Sequence, residues 1–196
     1  VLDGQRQIFG DEHPHVAVAL QNLAAVKGRI GPVDEARRHW LACVDLRRRL
    51  HPSDHPALAD ALYGAARFHH MQRDLDAAEP AYREALAMRR ALYGGDHPEV
   101  IRAELGVADL AWTRGELDDA ARQYRAILAR LEAAELGDTL QAGSASLQLG
   151  RTLARDGRNR EALPWLRRAR DIRAARLGPN HPQTRAADAL LDETAP

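Results

Sequence analysis

The chain has almost no lysine: Lys27 is the only one, and every other basic residue is arginine. It carries a single cysteine, Cys43, which excludes an internal disulfide. Aromatic residues make up only 5% of it, and the alternation of apolar and polar residues that marks a half-buried strand occurs nowhere, so helices must build the core. No apolar run approaches the roughly 20 residues that a membrane-spanning helix needs, and no membrane partner is expected. Charge of one sign is not in excess either, because 28 basic and 28 acidic residues cancel. No block of like charge stands out, which removes the usual footprint of a nucleic-acid-binding protein. A glycine-rich phosphate loop, a nucleophile elbow and a Cys/His cluster are all missing, so no catalytic residue, metal or cofactor is expected and the chain reads as non-enzymatic. Arginine in place of lysine, with abundant alanine, leucine and aspartate, points to a GC-rich bacterial source. A cytoplasmic location is the expectation.

What the sequence does have is a period. His13-Pro14, His55-Pro56, His97-Pro98 and His181-Pro182 recur at intervals of 42, 42 and 84 residues, and the missing member falls at Thr139-Leu140. A fixed period of this length means stacked repeats with one continuous core, so length alone does not count the domains.

Each unit reads as two helices. Proline suits the first turn of helix A because its absent N–H would be an orphan there, and the acids Glu12, Asp54 and Asp96 before three of the four His-Pro pairs complement the dipole. Leu20, Leu23 and Ala24 then form an apolar stripe, Gly31 ends the helix as a residue able to turn left-handed, and Ala36, Trp40, Cys43 and Val44 give helix B its own stripe. Adding 42 recovers the chemistry. The small residue late in helix A is Ala24, Ala66, Ala108 and Gly150, and the one early in helix B is Ala36, Ala78, Ala120 and Ala162. Two small residues facing one another let the helices approach closely. The large position is Trp40, Tyr82, Tyr124 and Leu166, and the loop position is Gly31, Arg73, Gly115 and Gly157.

These features, above all Gly94-Gly95-Asp96-His97-Pro98 followed by Gly115-Glu116-Leu117-Asp118-Asp119-Ala120 and Tyr124, resemble the tetratricopeptide repeat, in the 42-residue variety of kinesin light chains and many bacterial signalling proteins. The resemblance implies an all-α fold, a right-handed α-solenoid of stacked antiparallel helix pairs whose helix A faces line a concave groove. The expected organisation is the end of a truncated preceding repeat (1–12), four repeats (13–54, 55–96, 97–138 and a degenerate 139–180), and a capping helix with tail (181–196). Val1 to Phe9 aligns with the last turns of a helix B without its helix A, so the chain is expected to have been cut from something longer. Repeat four is expected to be the weakest, for want of a His-Pro start and because Gly143 and Gly150 lower helix propensity by about 1 kcal/mol each.

Stacked repeats hold equivalent histidines about 10 Å or more apart, too far to share a zinc at about 2 Å, so the His-Pro pairs read as caps. His51 and His55 straddle Pro52 and do not read as a site. Asp34-Glu35 and Asp118-Asp119 sit where acids stabilise a helix N-terminus, and Cys43 reads as an inert core thiol.

The register assigns the groove positions as Asn22 and Arg29, then Asp60, Tyr63, Arg67 and His70, then Arg102, Asp109 and Trp112, then Gln148, Arg151 and Arg155. Similar domains hold a peptide backbone with groove asparagines, and of these only Asn22 is matched, with Gly64, Gly106 and Gln148 in the other places. Trp112 reads as an exposed aromatic on a contact surface. Five arginines against two aspartates predict an acidic peptide or protein segment as the partner. The alternatives are a regulatory or scaffolding region of a larger bacterial signalling protein, such as a serine/threonine kinase or ATPase, and self-association through exposed repeat ends.

Overall fold

The computed structural model describes residues 2–194. Val1 of the expected preceding repeat and residues 195 and 196 of the expected tail lie outside them. Among the described residues there are ten helices and no strand, in two compact units, Val1–Gly95 and Asp96–Pro196.

The first unit contains α1 (Leu2–Phe9), α2 (Pro14–Ile30), α3 (Val33–Leu50), α4 (Pro56–Met71) and α5 (Leu75–Tyr93). Helices α2 and α3 pack as one antiparallel pair and α4 and α5 as the next, with α4 seated on both α2 and α3. Its core gathers Leu20, Trp40, Cys43, Leu62 and Phe68. The second unit contains α6 (Pro98–Arg114), α7 (Leu117–Ala133), α8 (Leu140–Arg155), α9 (Asn159–Leu177) and α10 (Pro182–Thr194). Here α6 pairs with α7 and α8 with α9, while α10 lies on α9 and touches α8. Tyr124, Leu128, Leu149, Leu153 and Leu166 are at the centre of its core.

The small-residue pairing explains the close contacts. All seven alanines of the two predicted columns are completely buried, as are Tyr124 and Leu166. Gly150 belongs to the same column for a steric reason, since a Cβ there would come within 2.6 Å of the Leu166 side chain. Gly143 is likewise tight against Ile172, at 3.1 Å. The glycines expected to weaken the fourth pair are therefore seats for the large side chains of α9.

The caps differ from expectation in three places. The imidazoles of His13, His55, His97 and His181 each accept, through Nδ1, the N–H two residues on, at 3.1–3.2 Å. Where the His-Pro is missing, Thr139 accepts from the Ala142 N–H through its hydroxyl at 3.3 Å, so the first turn of α8 is capped after all. Gly31 ends α2 but does not turn left-handed: its φ is −127°, because Pro32 forces the preceding residue into extended conformation. Arg73, the departure from glycine, adopts φ +63° beside +85° at Gly115 and +77° at Gly157. The turn geometry is thus kept at Arg73 without the residue that suits it.

Candidate functional site

The predicted groove residues lie on the first helix of each pair, and the structure treats the two units differently. In the first unit Asn22, Arg29 and Arg67 are exposed. Asp60, Tyr63 and His70 are drawn together on α4 around two residues of α5. Arg89, only 2% exposed, donates to Asp60 Oδ1 at 2.8 Å and lies over the Tyr63 ring at 4.5 Å. Tyr82 meets Tyr63 and His70 edge to face, with centroids 5.6 and 6.1 Å apart. Asp60 therefore already has a cation.

In the second unit five of the predicted residues form one connected cluster on α6 and α8. Asp109 Oδ1 accepts from the Tyr124 hydroxyl and, at 2.7 Å, from Gln148 Nε2. Burial and the Asp109 charge push the Tyr124 phenol up, so it stays a neutral donor. Gln148 then accepts from Arg151 Nη1 at 3.0 Å through its Oε1. Arg155 Nη1 donates to the Trp112 carbonyl at 2.9 Å. The guanidinium carbons of Arg151 and Arg155 lie 5.1 and 4.7 Å from the centroid of the Trp112 ring, within cation–π range.

Trp112 is not the exposed side chain expected: it is half-buried against the core of the unit, and its indole N–H is buried with no acceptor. Two arginines explain this, because the ring serves as their platform. Arg102 stands apart from the cluster and pairs with Glu99 one turn earlier, at 3.0 Å. Neither Arg151 nor Arg155 has a carboxylate partner among the described residues. Beside them opens a cleft of about 290 Å³ lined by Trp112, Arg151, Ala154, Leu166, Leu190 and Glu193.

Two kinds of residue were missed that the 42-residue register could have found. Glu193 is the next member of the column Arg67, Asp109 and Arg151, and it lowers the positive surplus counted from the sequence. Arg47, Arg89 and Arg173 belong to another column, interrupted by Leu131, and are all buried; among the described residues only Arg89 of the three pairs with an acid, because Val18 and Ser144 stand where Asp60 would be. Cys43 fits its core reading. Its Sγ lies 3.4 Å from the Ala17 carbonyl and burial raises the thiol to about 11, which keeps it protonated and unreactive.

Models of the tetratricopeptide repeat match residues 22–91, 59–133 and 144–183. The chain belongs to the tetratricopeptide repeat family. No curated protein sequence matches it. Among solved structures it is similar to a Podosopora anserina protein of the kinesin light chain kind with nearly identical TPR-like repeats, with a TM-score of 0.74 at 20% identity over 93% of this chain and 87% of that one. A second is BtubC (BKLC) from P. vanneervenii, with a TM-score of 0.69 at 22% identity over 85% of this chain and 66% of that one. At such identities the likeness is one of fold. The repeats build a protein-interaction module.

Proposed function

We propose that this tetratricopeptide module binds an acidic peptide or protein segment along the first-helix faces of its pairs, divided as 13–54, 55–96, 97–138 and 139–180. The observation that carries this reading is the pair of guanidiniums, Arg151 and Arg155, held over one indole ring without a carboxylate partner among the described residues. Arginine forks onto carboxylates, so such a pair orients an acidic side chain as well as attracting it. The ring beneath limits the conformations the guanidiniums lose on binding, which lowers the entropic cost. Ala154 and Leu190, partly exposed in the adjoining cleft, offer an apolar seat for one neighbouring side chain of the segment. Exposed Arg29 and Arg67 extend the same preference in the first unit. An array of random peptides probed with the protein tests this: acidic sequences carrying one aromatic or aliphatic residue should dominate, and enrichment of basic or charge-indifferent sequences would refute it.

A further inference from the structure

The turn between α3 and α4 carries a feature that peptide binding does not use. His51 caps the C-terminus of α3 and His55 caps the N-terminus of α4, and the intervening Pro52-Ser53-Asp54 folds back so that their rings stack in parallel. The centroids are 3.5 Å apart and the planes differ by 3°. His55 also accepts the Ala57 N–H at Nδ1, which it can do only while that nitrogen carries no proton. His51 Nε2 is buried and has no hydrogen-bond partner. One turn back on α3 is Arg47, 6% exposed, whose Nε is also buried and unpartnered.

We propose that the His51–His55 stack is an acid-sensitive joint between the first two helix pairs, closed when both rings are neutral and opened by protonation. Two protonated rings at this separation repel one another, Arg47 adds a third positive charge, and a proton on His55 Nδ1 removes the cap of α4. Among the described residues no carboxylate is paired with either ring. Asp54 in the turn is exposed, Asp60 further along α4 is held by Arg89 of α5, and Glu84 of α5 is held by exposed Arg48 of α3. Cys43 on α3 is neutral. The direction at His51 agrees, since burial, then His55 and Arg47, lower its pKa below the ordinary 6.5. A histidine with a lowered folded-state pKa contributes its full stability above about 6.5 and loses it as the pH falls toward the folded value. The joint therefore opens on acidification from neutral.

The first turn of α8 is an internal control, because its cap is the hydroxyl of Thr139, which does not titrate. Amide exchange of the whole chain, corrected for intrinsic rates, is compared at pH 7.4 and 5.2. Protection of Ala57, Leu58 and Ala59 should fall at least tenfold while that of Ala142 and Gly143 changes less than twofold. His55→Asn, a cap without a titrating ring, should abolish the difference, and His51→Phe, which keeps a ring in the stack, should reduce it. Equal responses of the two turns in the wild-type protein would overturn the proposal. So would a His51→Phe protein whose α4 turn responds as the wild type does.

Discussion

At Arg73 the loop needs a left-handed residue and the chain supplies an arginine, at φ +63°. A non-glycine residue there costs roughly 1–2 kcal/mol of conformational energy. Glycine would remove that cost but restore about 0.5–1 kcal/mol of unfolded-state entropy. Arg73→Gly should therefore be stabilising by up to about 1 kcal/mol, read as a rise in the thermal midpoint; a clear fall would mean that Arg73 makes a contact outweighing its strain. Trp112 teaches a different lesson at this scale. Its position on helix A is legible from the period, but its burial is not, because periodicity says which side a residue takes and nothing of the two arginines of α8, in the next pair, that cover it.

The helix pair is the element, and its close approach depends on small residues that the sequence made visible. Ala108 is completely buried in the core that holds Ala120 and Tyr124. Ala108→Leu should destabilise the protein by about 1–3 kcal/mol through overpacking, and an unchanged midpoint in thermal unfolding would contradict the register. Gly150→Ala sets two effects against each other. Alanine is better than glycine in a helix by about 1 kcal/mol, yet its Cβ would meet the branched end of Leu166 at 2.6 Å, and overpacking costs about 1–3 kcal/mol. The collision should win. Denaturant unfolding should show a lower midpoint; a higher one would mean that Leu166 moves aside freely and that the glycine is only a weak point. Reading the sequence alone weighed the first effect and could not see the second, since the partner of a helix glycine is set by packing. The same blindness applies to Thr139. In the sequence it stands as a gap in the His-Pro series, although threonine is an ordinary N-cap and precedes Leu140 directly.

Over the whole molecule the 42-residue interval made the family and the helix pairing legible, because a repeat multiplies each weak local signal by the number of copies. The candidate site was less legible. All its positions followed from the register, but charge counting treated each side chain as free, and the structure shows Asp60 taken by Arg89, Arg102 by Glu99 and Asp109 by Tyr124 and Gln148. Glu99 and Arg102 stand three apart on one helix and could have been paired from spacing, whereas the other pairings depend on side-chain reach across helices, which spacing along one helix does not encode. The proposed binding rests on the attraction of Arg151, Arg155, Arg67 and Arg29 for negative charge, an interaction that salt screens over about 8 Å at physiological ionic strength. The most direct measurement is the affinity of an acidic peptide carrying one aromatic residue, by fluorescence anisotropy, for the wild-type protein and for the Arg67→Glu, Arg151→Glu double variant, at low and physiological salt. Binding should weaken with salt and be lost in the double variant while its circular dichroism and thermal midpoint stay those of the wild type. Binding left intact by the charge reversals, in a protein whose fold is unchanged, would contradict it.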